Sequence, residues 1–218
     1  MDDQFLFSNN VIGLKEIANE KYCLTFKKQF GYKAGQVVQL TCNRSIEPRL
    51  YSLCSGEFDQ QMEILFDLKL GGELTPKLVE LNPGDRLYVS HPYGQFLRPT
   101  QEKMWWIATG TGIAPFRSMM RSGYEADKIL HGARLEEQFY FSDEFITAFG
   151  EKYVRCNSST NEVGDFQGRV TNYIESLKSL PKDIKYYLCG RSMMVVEVRD
   201  LLIARGVPFE NILSEIFF

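Results

Sequence analysis

Gly110-Thr111-Gly112-Ile113-Ala114-Pro115-Phe116 combines two glycines with a proline directly after an apolar run, Met104–Thr109. Glycine lets a chain turn tightly and lets a phosphate approach backbone N–H groups. Pro115 suits the first position of a helix, where its missing N–H costs nothing. The start of that helix then offers unpaired N–H groups and partial positive charge to an anion such as a pyrophosphate. The same pattern also serves in strand-to-helix turns that bind nothing, and the full GxGxxG fingerprint is absent. A second stretch, Arg49-Leu50-Tyr51-Ser52, reads as a strand. Arg49 and Tyr51 then share one face, and Leu50 and Ser52 the other. Four residues are a weak signal, and alone they read as an ordinary barrel strand with a surface arginine.

Other chemistries are poorly served. The five cysteines, at 23, 42, 54, 156 and 189, are odd in number and form no CxxC pair, which argues against a disulfide framework or a plant-type [2Fe–2S] cluster. The two histidines, His91 and His131, are far apart in sequence, so a dedicated zinc site is not expected. Redox chemistry here would need an organic cofactor. Net charge is −3, and no Lys/Arg run exceeds two residues, so a nucleic-acid footprint is not supported. The start, Met1-Asp2-Asp3-Gln4, lacks the basic residues of a targeting peptide, and no apolar run approaches a membrane span. A cytoplasmic protein is expected.

Two halves must position these residues. In residues 1–99, short runs rich in β-branched and aromatic residues recur about every ten residues: Val11–Ile17, Tyr22–Lys28, Gln36–Cys42, Arg49–Ser55, Met62–Lys69 and Arg86–Ser90. Turn residues separate them, which predicts a small antiparallel barrel or sandwich with one helix, Thr75–Leu81. In residues 100–218 the pattern alternates. Strands are predicted at Met104–Thr109, Lys128–Ala133, Tyr153–Asn157, Lys185–Cys189 and Ile212–Phe217. Helices are predicted at Pro115–Ser122, late in Glu136–Phe149, at Arg169–Leu177, and at Met193–Arg205, the last closed by Gly206. Alternation of this kind specifies a parallel sheet with helices on its faces. The boundary falls near Leu97–Lys103. The glycine turn then follows the first strand of a parallel sheet, where dinucleotides bind.

Five elements in order now make a pattern: Arg49-Leu50-Tyr51-Ser52, Gly71-Gly72-Glu73-Leu74-Thr75, Gly110–Phe116, Cys189-Gly190, and the C-terminal Glu215-Ile216-Phe217-Phe218. Together they resemble the plant-type ferredoxin–NADP reductase family of flavoproteins, over nearly the whole chain. The resemblance implies an N-terminal antiparallel β-barrel that binds FAD, followed by an α/β parallel-sheet domain that binds NADP(H) or NAD(H). It implies hydride transfer to flavin N5 and release of single electrons to a separate carrier, ferredoxin or flavodoxin. The isoalloxazine would be clamped between the two halves. An NADH-dependent reductase component of an oxygenase and a non-catalytic electron-transfer subunit are the alternatives.

The resemblance also assigns roles. Tyr51 would stack on the isoalloxazine, Ser52 would hydrogen-bond near N5, and Arg49 would pair with the FAD pyrophosphate. Leu50, Leu53 and Ser55 belong to the same flavin strand. Gly71, Gly72, Leu74 and Thr75 match a second phosphate loop. Gly110, Thr111, Gly112, Ile113 and Pro115 would hold the pyrophosphate of the nicotinamide dinucleotide. Cys189, with Gly190, would lie beside the nicotinamide and the flavin, and Glu215 would help order the site. Phe217 or Phe218 would cover the second flavin face, in place of the family's usual tyrosine. Arg134 and Arg169 match arginines that bind a 2′-phosphate, and Ser158-Ser159 stands where the family has Ser-Arg. With no acid at that place, the balance favours NADPH over NADH. Lys33, Arg44, Lys69 or Lys77 would meet an acidic carrier. No metal ligand set is expected.

Overall fold

Strands β1 (Leu6–Ala18), β2 (Lys21–Lys27), β3 (Val37–Thr41), β4 (Arg49–Ser52), β5 (Gln61–Asp67) and β6 (Arg86–Ser90) form one antiparallel sheet in the order β4-β3-β6-β1-β2-β5. The two ends of the sheet meet. Leu53, just past β4, bridges Ile64 of β5, and Cys54 N–H donates to Glu63 O at 2.8 Å. Closure removes the free edges and makes the sheet a six-stranded barrel. Leu24, Phe26, Val38, Leu40, Leu53, Ile64 and Leu87 fill it, each almost fully buried. Burial of such a side chain contributes roughly 1.5–3 kcal/mol.

The structure is a computed structural model and describes residues 5–96, 102–159 and 164–217. The chain divides into two compact units: Met1–Arg98 with Ala114–Gly123, and Pro99–Ile113 with Tyr124–Phe218. Helix α2 (Ala114–Arg121) therefore groups with the barrel although the barrel's last strand ends at Ser90. Two expectations for the barrel need correction. β1 begins at Leu6, five residues before its expected start. Asn9 is buried and satisfied in the strand, its Nδ2 donating to Lys27 O at 2.9 Å. A register shift between Val11 and Gly13 bends the strand, so its first half pairs with β6 and its second with β2. Helix α1 spans only Thr75–Leu78.

The second unit holds a parallel sheet of β7 (Met104–Thr109), β8 (Lys128–Ala133), β9 (Tyr153–Asn157), β10 (Phe166–Gln167), β11 (Lys185–Arg191) and β12 (Ile212–Phe217), ordered β10-β9-β8-β7-β11-β12. The chain starts in the middle, steps outward to β10, and returns to the other side of β7 for β11. The strand order therefore reverses between β7 and β11. Helices α4 (Val170–Ser176) and α5 (Ser192–Ala204) cover one face through Val170, Ile174, Val195, Val198 and Leu202. Helix α3 (Ser142–Phe149) packs Phe145 and Phe149 on Tyr153 and Trp106 of the opposite face. The strands match the expected ones closely; β10, two residues long, was not expected.

At the reversal the backbones touch. A Cβ on Gly112 would fall 2.3 Å from Cys189 O, and one on Gly190 (φ +141) would fall 2.5 Å from Thr109 Oγ1. The obstacle at Gly112 is backbone, so Gly112→Ala forces the end of β11 away from the turn. We expect a loss of about 1–3 kcal/mol in chemical denaturation. Gly71→Ala, whose Cβ would meet nothing within 4 Å, serves as the control and should change little.

His131 lies fully buried in β8, its Nδ1 2.8 Å from the Tyr153 hydroxyl and its ring edge-on to Phe139. Burial lowers its pKa to about 3. The unfolded chain therefore takes up this proton first. Stability from the neutral ring is complete above pH ~6.5 and is lost as pH falls towards the folded-state value, by at most about 5 kcal/mol. Denaturation curves between these limits should show a shallower pH slope for His131→Gln than for the wild-type chain.

Candidate functional site

The barrel unit carries Arg49–Ser52 on β4 and the Gly71–Thr75 loop after β5. On β4, Arg49 is exposed, with Glu47 Oε2 3.2 Å from its Nη1. Tyr51 is half-buried, its ring edge-on to Phe66 at 6.2 Å, and burial raises its phenol above the ordinary value. Leu50 is 58% exposed, an apolar side chain left in solvent between the two. Ser52 and Leu53 are buried. Ser55 is also buried, its Oγ bonded to the Tyr32 hydroxyl at 2.8 Å and to Glu63 N–H at 3.0 Å. Its hydroxyl holds the strand exit rather than facing outward.

A groove of about 440 Å³ opens beside the Gly71–Thr75 loop, lined by Ser45, Ile46, Leu70, Gly72, Glu73, Pro76 and Lys77. Gly72 N–H donates to Lys69 O at 2.8 Å, and Thr75 Oγ1 accepts from Lys69 N–H at 2.8 Å. These two groups close the turn. Leu74 is buried in the barrel core and precedes α1. Gly71 leaves open space where a side chain would stand. Arg49 and Tyr51 do not line this groove; the guanidinium and ring on β4 and the lysine in the groove are each of a type that suits a flavin dinucleotide. Of the cations expected to meet a carrier, Lys33 is paired with Glu57 at 3.1 Å and Arg44 lies over the Tyr88 ring. Lys69 and Lys77 are neighbours of the groove.

One cluster was missed from sequence. Arg117 of α2, 6% exposed, places Nη1 2.6 Å from Glu63 Oε2, 3.3 Å from Cys54 O and 3.7 Å from Cys54 Sγ. It fastens α2 to β5 and to the exit of the flavin strand. Cys23, Cys54 and Glu63 bring ligand atoms within 4.8 Å of one another. The guanidinium already compensates that charge, so the cluster does not make a good cation site. The signal available was α2 itself: Ala114 to Met119 are all buried, so an arginine among them must be paired.

The second unit gathers its candidates at the carboxyl ends of the strands. Gly110 (φ +57) starts a 3-10 turn, Gly110–Ile113, that follows β7, and Pro115 lies in the first turn of α2. Thr111 and Gly112 lie in that turn, and Ile113 is fully buried. The glycine pattern thus serves two ends: Gly110 adopts the left-handed turn, and Gly112 admits the end of β11. Thr109 Oγ1 is buried there with no hydrogen-bond partner. Cys189 and Glu215 are register partners on β11 and β12, with Sγ 3.9 Å from Oε2. Burial first, and then the Glu215 charge, push the Cys189 thiol well above its ordinary pKa, so it keeps its proton.

Farther along the same edge, Arg134 is exposed just past β8. Ser158, just past β9, donates from N–H to Ala133 O at 3.0 Å. Arg169, before α4, is exposed, its Nη1 3.8 Å from Glu197 Oε2. Phe217 ends β12, while its side chain and all of Phe218 lie outside the described residues. No helix among the described residues is long and apolar enough to cross a membrane.

Residues 106–200 match the oxidoreductase NAD-binding domain family. The chain is 30% identical, over 90% of its length and 74% of the relative's, to a probable dihydroorotate dehydrogenase B (NAD(+)) electron transfer subunit of Methanocaldococcus jannaschii. It is 29% identical to a ferredoxin–NADP reductase of Pseudomonas aeruginosa, over 84% of this chain and 83% of that one. Several of the other curated relatives are longer proteins, of which the chain spans 40–66%. A crystal structure of a ferredoxin NADP+ reductase from Neisseria gonorrhoeae, with FAD and NADP bound, shares the fold at a TM-score of 0.86 and 19% identity, covering 98% of this chain and 99% of that one. With its antiparallel barrel, its parallel sheet and these relatives, the chain belongs to the ferredoxin–NADP reductase family of flavoprotein reductases.

Proposed function

We propose that the chain passes electrons from a reduced nicotinamide dinucleotide, through FAD held on the barrel, to a separate one-electron carrier protein of the ferredoxin or flavodoxin kind. The observation that carries this reading is the reversal of strand order at β7 and β11, where the Gly110–Ile113 turn, Cys189 and Glu215 meet. Open parallel sheets bind ligands at such a point. When bound, FAD supplies the chemistry, taking a hydride from the nicotinamide at N5 and releasing its electrons singly.

The chain's own residues bind and orient. Arg49 offers a planar fork of donors to the FAD diphosphate, which must compete with Glu47 for it. Tyr51 offers a ring face, its other contacts fixed by Phe66. Ser52 offers a hydroxyl to the flavin, and Gly71, Gly72, Leu74 and Thr75 shape the loop for the second phosphate. Gly110, Thr111, Gly112, Ile113 and Pro115 form the dinucleotide turn. Cys189 and Gly190 border the nicotinamide, and Glu215 orders that border through the thiol. Proximity and orientation of this kind account for a large share of catalysis. The terminal aromatic, Phe217 or Phe218, is the proposed cover for the flavin. Arg134, Ser158 and Arg169 make up the adenosine end; Ser158-Ser159 carries no acid, which favours NADPH, while Glu197, 3.8 Å from Arg169, competes for that guanidinium. Lys69 and Lys77 are the cations best placed for an acidic carrier. Five free cysteines suit a reducing, cytoplasmic setting.

A second reading is that of an electron-transfer subunit within a larger assembly, which the Methanocaldococcus relative favours. Steady-state reduction of ferricyanide with NADPH and NADH in parallel separates the two. We expect FAD-dependent turnover with both coenzymes, NADPH the better. A flavin-loaded chain inert to both leaves only the subunit reading. In stopped flow, Cys189→Ala should slow flavin reduction by about tenfold or more with FAD retained. An unaltered rate would remove Cys189 from the site.

A further inference from the structure

Asn157, the last residue of β9, is fully buried and holds together three segments of the second unit. Its Oδ1 accepts from Ser159 N–H at 2.7 Å and from Ser159 Oγ at 2.8 Å, an Asx turn that fixes the chain leaving β9. Its carbonyl oxygen accepts from Gly168 N–H at 2.7 Å and from Gln167 Nε2 at 3.2 Å. Gln167 Nε2 also donates to Ser159 O, which closes the network. Its Nδ2 is buried without a partner. An unpaired buried donor is unfavourable, and an apolar filler would avoid it. The amide is kept for what its oxygen does.

The residues that flank this network matter more than the network itself. Ser158 sits directly between Asn157 and Ser159, bonded across to Ala133 O, and Arg134 is the next residue after Ala133. Arg169 is the next residue after Gly168, and its own N–H is capped by Asn172 Oδ1 at 3.0 Å. Arg134 and Arg169 are tied to this strand end by main-chain bonds, Ser158 N–H to Ala133 O and Gly168 N–H to Asn157 O, while the Asn157 side chain acts on the Ser158–Ser159 turn through its two bonds from Ser159. All three side chains lie at the surface; Arg169 is paired with Glu197 at 3.8 Å, Ser158 Oγ donates to Ala133 O at 3.3 Å, and the backbone beneath them sets where each side chain starts. Long cationic side chains on a loose backbone lose much of their affinity to ordering entropy, and a fixed backbone reduces that cost.

We propose that Asn157 is the positioning residue of the adenosine end. Its side chain fixes the Ser158–Ser159 turn, and with it the placement of Ser158 on a 2′-phosphate beside Arg134 and Arg169, and so sets the preference between phosphorylated and unphosphorylated coenzymes. The inference rests on the placement of the adenosine end proposed above. Asn157 itself does not touch the reacting atoms, so its removal should act on binding and not on the rate of flavin reduction at saturating coenzyme.

The test uses the flavin-loaded protein and two fragments, 2′-phospho-AMP and AMP, titrated by calorimetry, alongside KM and kcat for NADPH and NADH. Asn157→Ala should weaken 2′-phospho-AMP by about tenfold while changing AMP by less than about threefold. KM for NADPH should rise in parallel, with kcat held within about twofold. Asn157→Ser, whose hydroxyl can form a weaker turn with Ser159 N–H, should recover part of the loss. Ser159→Ala, which removes only the hydroxyl's bond to Oδ1, is a milder variant should Asn157→Ala fail to fold, and it should shift the same ratio in the same direction. Equal losses for both fragments, or no loss, in these variants overturn the proposal. Arg134→Ala separates the two levels: if it too leaves 2′-phospho-AMP binding unaltered, the adenosine end lies elsewhere and both readings fall. If Arg134→Ala weakens that fragment while the Asn157 and Ser159 variants do not, only the positioning role falls.

Discussion

The contact on which the rest depends is backbone against backbone: the turn after β7 resting on the carbonyl of Cys189 at the end of β11. Gly112 and Gly190 have no Cβ, and that permits it, because a methyl at either position would overlap main-chain or Thr109 atoms. From it follow the closeness of the first and fourth long strands of the sheet and the crevice at their carboxyl ends. The juxtaposition of the glycine turn with the Cys189–Glu215 pair follows as well. Right-handed crossovers and a central first strand would give some crevice in any sheet of this order. The glycines decide how tight it is and which side chains border it.

The barrel unit solves a different problem. On the function proposed, β4 presents side chains to a ligand without losing the strand's place in the sheet. Closure through Leu53–Ile64 and Cys54–Glu63 fixes the strand's exit, and Tyr32, Ser55 and the buried Arg117–Glu63 pair reinforce it. Removing one member of a buried ion pair leaves an uncompensated charge, which is why such pairs tend to be rigid. Arg49, Leu50 and the Gly71 loop remain comparatively open. Rigid support beneath accessible polar groups is the arrangement a binding strand needs.

Periodicity made most elements legible. β7 and the middles of β8 and β11 showed as short apolar runs, because a strand buried on both faces has little polar alternation to disguise it, while β9 and β12 showed through aromatic and β-branched residues between turn signals. Gly206, at φ +82, ends α5 as its residue type suggests. What failed to show was whatever depends on a distant partner. Leu6–Asn10 is polar enough to pass for a loop, and only pairing with β6 and the Asn9 bond to Lys27 make it a strand. β10 exists because Asn157 and Cys156 give Phe166 and Gln167 something to pair with. At the site, the glycine turn and the Cys189–Glu215 pairing could be anticipated from order along the chain. Arg117 and Ser55 could not, since their roles lie in contacts between residues eight to sixty-three apart in sequence; the Asn157 turn with Ser159 is local, and what the sequence hid is its burial.

The central claim is that this chain binds a flavin and reduces it with a nicotinamide coenzyme. Titrating the purified polypeptide with FAD and then, without oxygen, with NADPH, while following visible flavin absorption, tests it most directly. Saturable uptake of about one flavin per chain, followed by bleaching on addition of the coenzyme, is the expected result. A polypeptide that takes up neither FAD nor FMN, or whose bound flavin keeps its colour with NADPH and NADH alike, would contradict the account.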